Sequence, residues 1–124
     1  MFTCVIRYTV DLEHLDAFEA YGKAWIELIE DYGGTHHGYF LPDDGSTPLP
    51  DPSFSFPGLG EASPASVAYA LFSFPDVEAY ERYRREVAED PRCLEASRRF
   101  EARPCFSGYE RAFLRPLLPS ARDG

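Results

Sequence analysis

Basic residues are scarce in this 124-residue chain: 12 Lys and Arg stand against 21 Asp and Glu, a net charge of −9 at pH 7. A field of that sign repels phosphate backbones and anionic lipid surfaces, so neither nucleic acid nor membrane is expected as a partner. The charges are dispersed rather than blocked, the pattern of a solvated surface. Long apolar runs are missing, and none approaches the roughly 20 residues that a bilayer-spanning helix needs. The start, Met1 to Arg7, has neither a basic n-region nor an apolar h-region, which speaks against a secretory signal or a transit peptide. Cysteine is sparse, and Cys4, Cys93 and Cys105 lack metal-ligand spacing. Their odd number suits reduced thiols in a reducing compartment. The expectation is a cytoplasmic protein without a metal centre.

Signature motifs of common chemistries are also missing. There is no phosphate-binding loop, no H-E-x-x-H, no C-x-x-C and no G-x-S-x-G, and Gly58-Leu59-Gly60 does not open a helix. Carboxylates are plentiful, but most fall on helix surfaces among arginines, as in the i,i+4 pairs Glu78–Arg82 and Glu81–Arg85, so no acid/base dyad stands out. No cofactor is expected. Aromatic residues are abundant, with eight Tyr and ten Phe. They serve cores, interfaces and ligand pockets alike, so their number does not choose among these.

Length sets one domain, with enough chain to bury roughly two-thirds of its unfolded surface. The same short program runs twice. Phe2–Val10 alternates as a strand, residues 14–32 carry helical spacing (Phe18, Tyr21, Trp25, Leu28, Ile29, Tyr32), and residues 34–41 read as a strand. Gly33-Gly34 ends the helix, since a left-handed C-terminal position favours glycine. In a regular second strand, Thr35, His37, Tyr39 and Leu41 share one face, and His36, Gly38 and Phe40 the other. Residues 66–74 form an uncharged strand, residues 76–89 a helix capped by Asp76, and Asp90-Pro91 restarts a helix to Ala102. Phe106–Leu114 is the last strand. The domain spans residues 1–116, with a tail at 117–124 that frays. Residues 42–66 hold six of the eleven prolines and no periodicity, so 43–66 reads as a long surface loop. Its Phe54, Phe56 and Leu59 would pin it to the body or form a lid.

Doubled β-α-β units predict an α+β, ferredoxin-like βαββαβ fold with a four-stranded antiparallel sheet. Helices cover one face of such a sheet. The other face carries alternate residues of rather apolar strands and needs a cover. A second copy of the chain is the simplest one, so a homodimer built sheet to sheet is expected.

Val5-Ile6-Arg7-Tyr8-Thr9-Val10-Asp11, Phe18-Glu19, Trp25, the run from Gly33 to Pro42, Ala70-Leu71-Phe72-Ser73-Phe74, Asp90-Pro91, Tyr109-Glu110-Arg111 and the run from Phe113 to Pro116 occur in an order that resembles bacterial NIPSNAP-family proteins. The resemblance implies a dimeric α/β barrel, in agreement with the uncovered sheet face. It implies little chemistry, because the family has no generally established reaction. Relatives on the same barrel include cofactor-free oxygenases, small-molecule isomerases and haem-binding proteins. Loop 43–66 is longer and more proline-rich than the family pattern.

Among polar candidates, His36 and His37 come first. Neighbours on a strand point to opposite faces and cannot share one metal. Either one could act as a general base or axial ligand, weighed against a hydrogen-bonded interface histidine, the commoner role. Arg7 would pair with Glu110, and Trp25 would line a core or pocket. Tyr8, Trp25, His37 and Tyr39 are the expected lining of a pocket for a small, mostly apolar ligand. Two alternatives stand beside that reading. One is a cofactor-independent oxygenase or isomerase using a His or Tyr base on an aromatic substrate. The other is a purely structural dimer.

Overall fold

The computed structural model describes residues 1–120. Strand β1 (Phe2–Val10) leads through a 3₁₀ turn at Leu12–His14 into α1 (Leu15–Asp31) and β2 (Thr35–Phe40). After a long connection come β3 (Val67–Phe74), α2 (Val77–Val87), α3 (Pro91–Ala102) and β4 (Phe106–Leu114). The sheet order is β2-β3-β1-β4 and every pairing is antiparallel, the ferredoxin-like arrangement expected from the doubled unit.

Local chemistry accounts for the helix ends. Asp76 accepts from the Ala79 backbone N–H at 2.8 Å, and Asp90 from that of Arg92 at 2.8 Å, with Pro91 opening α3. Gly33 ends α1 at φ +93°, and the Gly34 N–H reaches back to the Ile29 carbonyl at 2.9 Å. Helix α3 is tied to α1 by side chains. Arg92 bridges Asp31 at 2.6 Å and Glu27 at 3.1 Å, Tyr32 Oη donates to Asp90 at 2.7 Å, and Arg103 pairs with Asp16 at 3.1 Å. The expected pairs Glu78–Arg82 and Glu81–Arg85 are not among the ion pairs of the described residues. Lys23–Glu19 and Arg99–Glu95 are the i,i+4 pairs that form. Exposed long side chains gain too little from pairing to hold one geometry.

The pleat divides the sheet into two faces. Cys4, Ile6, Tyr8 and Val10 of β1, with Ala68, Ala70, Phe72 and Phe74 of β3, are buried under the helices. Phe18, Leu28 and Ile29 of α1 and Ala79, Tyr83 and Val87 of α2 close this core from the other side. The opposite face shows Val5, Tyr69 and Leu71, half-buried, and Phe40, 56% exposed. There Thr3 and Ser73 share a buried hydroxyl–hydroxyl hydrogen bond of 2.7 Å, and Arg7 meets Glu110 at 3.5 Å as expected.

Strand β2 departs from regular alternation. Its register with β3 shifts between His36 and Gly38, leaving His37 as the extra residue of a β-bulge, with Gly38 at φ +106°. His36 lies opposite Phe72 and Tyr39 opposite Ala70, so these two side chains share the helix-covered face. His37 joins Ser73 on the open face. The regular two-residue alternation expected for β2, which grouped His37 with Tyr39, is corrected by this one inserted residue.

Loop residues Phe54, Phe56 and Leu59 are exposed and do not pin residues 43–66 to the body. Residues 115–120 carry no regular element, and the rest of the tail expected to fray lies outside the described residues.

Candidate functional site

Ala68 and Ala70 of β3 are the smallest side chains on the covered face. They let Tyr8 from β1 and Tyr39 from β2 meet above them, with ring centroids 6.1 Å apart and planes 27° from parallel. From α1, Tyr21 and Trp25 stand one helical turn apart on the core-facing stripe, centroids 6.3 Å apart. Tyr21 meets Tyr8 edge-on at 6.4 Å. From β4, Tyr109 sits directly across from Tyr8 and Arg111 across from Ile6. Helix α2 adds Tyr80, Tyr83 and Arg84. These groups line a partly open cavity of about 210 Å³ between sheet and helices, with Arg84, Tyr109 and Arg111 at its exposed side.

Hydrogen-bond donors dominate its wall. Burial pushes the phenols of Tyr21, Tyr39 and Tyr83 above their ordinary value, so they stay protonated. The Tyr8 phenol is also raised by burial, but Tyr39, Arg111 and Tyr21 all act in the opposite sense and favour its phenolate. The Trp25 Nε1–H is buried without a hydrogen-bond partner. Such an orphan donor costs about 1–3 kcal/mol unless something accepts from it. Arg111 lies 5.9 Å over the Tyr109 ring and donates to Tyr80 Oη at 3.3 Å, which fixes its guanidinium at the cavity.

His36 stands behind Tyr39, its ring stacked on the phenol at 5.2 Å and 11°. The Gly38 backbone N–H donates to Nδ1 at 2.8 Å, so the neutral ring carries its proton on Nε2. That Nε2 is buried without a partner. Burial lowers the His36 pKa to about 4, with Glu30 pulling it up and His37 pushing it down. At neutral pH His36 is therefore an uncharged donor with no free lone pair to serve as a base.

Three of the expected lining residues, Tyr8, Trp25 and Tyr39, come together here. His37 does not join them; its Nε2 lies 2.7 Å from Ser73 Oγ on the open face. Arg84, Tyr109 and Arg111 escaped sequence reasoning, since their place depends on strand register and on where α2 crosses the sheet. Tyr21 was visible as the residue one turn before Trp25. No group of three or more His, Cys, Asp or Glu among the described residues could hold a metal ion.

A larger groove of about 720 Å³ runs between α1 and α3, walled by Ala17, Ala20, Ala24 and Phe100. Its arginines, Arg92, Arg99 and Arg103, are each already held by a carboxylate. It contains no orphan polar atom, so the smaller cavity is the candidate site.

The NIPSNAP family model matches residues 4–51, from β1 through β2 into the loop. No curated protein matches the chain in sequence. Among solved structures, a NIPSNAP family protein of unknown function from Agrobacterium tumefaciens superposes with a TM-score of 0.65 at 18% identity, over 94% of this chain and 87% of that one. An uncharacterized NIPSNAP domain protein from Burkholderia xenovorans does so with a TM-score of 0.67 at 15% identity, over 97% and 100%. A putative antibiotic biosynthesis monooxygenase from Nitrosomonas europaea is more distant, with a TM-score of 0.59 at 8% identity over 95% and 100%. These likenesses establish the fold over nearly the whole chain, and the sequence match adds the first β-α-β unit. Over residues 4–51 the chain is similar to the NIPSNAP family, and over nearly its whole length it shares the fold of the bacterial NIPSNAP proteins.

Proposed function

We propose that the protein is a homodimer that binds a small, mostly apolar ligand in the cavity beneath α1 and α2. The observation that carries the reading is the buried, unpartnered Trp25 Nε1–H beside a wall of tyrosines. A folded protein retains an orphan donor at a cost, and a bound acceptor would offset it. The apolar residues of the open face, half-buried Val5, Tyr69 and Leu71 with exposed Phe40, support pairing with a second copy, because a single layer of helices leaves them uncovered. The free cysteines Cys4, Cys93 and Cys105 are in keeping with a cytoplasmic protein.

A second reading makes the same cavity an active site, as in a cofactor-independent oxygenase or isomerase. Its base would be Tyr8, whose phenol burial raises while Tyr39, Arg111 and Tyr21 act in the opposite sense. His36 is a poor base because Nδ1 is already engaged.

Native mass spectrometry of freshly purified protein tests the proposal. A dimer carrying extra small-molecule mass is the expected result. A monomer would overturn the dimer, and an empty dimer that takes up no aromatic fragment would leave the purely structural reading.

A further inference from the structure

The cavity wall is selective in charge. In a chain of net charge −9, carboxylates are in excess, and five arginines have found one: Arg7, Arg92, Arg98, Arg99 and Arg103 all pair with Asp or Glu. Arg84 and Arg111 do not pair with any acidic side chain among the described residues, and both line the same cavity. No Asp or Glu lines it. The two residues line that cavity together with Tyr80 and Tyr83. Arg111 is further fixed between Tyr80 and Tyr109. Around them the wall offers donors: the Trp25 indole N–H has no partner, and burial holds the phenols of Tyr21, Tyr39 and Tyr83 above their ordinary value.

From this we infer that the ligand is an aromatic acid bound as its carboxylate, the ring among Tyr8, Tyr39 and Trp25 and the carboxylate on Arg84 and Arg111. The inference rests on the reading that this cavity binds a small molecule, and adds the ligand's chemical class. Guanidinium matches carboxylate in a bidentate, charge-assisted pair. The negative net charge of the whole protein repels anions at long range, so a carboxylate is retained only where local cations outweigh that field. The volume, about 210 Å³, suits one substituted ring, since an apolar cavity of about 150 Å³ holds benzene.

Trp25 is the single tryptophan, so its indole N–H gives one resonance that reports on this cavity. The experiment titrates the ¹⁵N-labelled full chain with benzoate and 1-naphthoate, and separately with benzamide and 1-naphthamide. The expected result is a saturable shift of the Trp25 resonance by the acids, at about tenfold or greater preference over the amides. Arg84→Met and Arg111→Met should each abolish the preference by weakening acid binding about tenfold or more, with the dispersion of the whole spectrum as in the parent. Amides that bind as tightly as acids, or a preference that survives both substitutions together, would overturn the carboxylate assignment and leave the cavity as an aromatic site. If neither acids nor amides move the Trp25 resonance, the small-molecule reading falls with it.

Discussion

His36 and Tyr39 stack face to face, ring centroids 5.2 Å apart and planes 11° from parallel, although a spacing of three would send them to opposite faces of a regular strand. The residue inserted at His37 makes the difference. With Gly38 at φ +106°, the bulge turns the chain so that Tyr39 faces the helices beside His36, while His37 is turned out to Ser73. One backbone irregularity thus decides which histidine sits behind the cavity wall.

Gly38→Ala should lower stability by about 1–3 kcal/mol through backbone strain alone, because an added Cβ meets nothing within 4 Å. Gly34→Ala should cost about 1–3 kcal/mol for a different reason, overpacking: its Cβ would lie 2.7 Å from Ile29 Cγ2 and 2.8 Å from Phe74 Cζ. Chemical denaturation gives both costs. Ring-current shifts of His36 and Tyr39 should change in the Gly38 variant and persist in the Gly34 variant. A Gly38→Ala protein with parental stability and an intact stack would refute the bulge as the source of the arrangement.

Acid should weaken the fold through His36. Its native pKa of about 4 lies below the ordinary value of 6.5, so between these the unfolded chain holds a proton that the native state does not. Stability from this group is complete above about pH 6.5 and is lost as pH falls toward about 4, by at most about 3 kcal/mol. His36→Phe should keep the stack, lose the Gly38 hydrogen bond at a cost of about 1 kcal/mol, and flatten this part of the pH dependence. Denaturation midpoints at pH 7 and pH 5, parent against variant, measure it. Equal losses in the two proteins would show that His36 does not titrate as described.

The open sheet face should lose its partner when charged. Val5 and Leu71 lie directly opposite each other in the β1–β3 register on that face. Val5→Glu together with Leu71→Glu sets two like charges side by side against a mirror-related pair, which should shift the protein to monomer in sedimentation velocity with an unchanged far-ultraviolet spectrum. Persistence of the dimer would move the interface to another surface, and a monomeric parent would remove it.

Much of the architecture was legible because it follows from local chemistry. Alternation in β1 and β3, the Phe18-Tyr21-Trp25-Leu28 stripe, the Asp76 and Asp90 caps and the Gly33 stop each state a preference that the fold keeps. The doubled unit then leaves few topologies to choose from. The cavity was half legible. Tyr8, Trp25 and Tyr39 belong to strongly patterned segments and were found together. Arg84 and Arg111 were not, because a cation's role depends on which acids stand near it, and those distances are set between elements.

By itself, the sequence determined the order and type of the elements, their caps, the sheet they build and the residues under the helices, since periodicity and backbone propensity are written residue by residue. Only the tertiary structure decided that His36 rather than His37 stands with Tyr39, that the Trp25 indole is left without an acceptor, and that two arginines without acidic partners share one cavity. Each of these depends on register, on a single inserted residue, or on a distance between segments far apart in the chain, and no local preference encodes them.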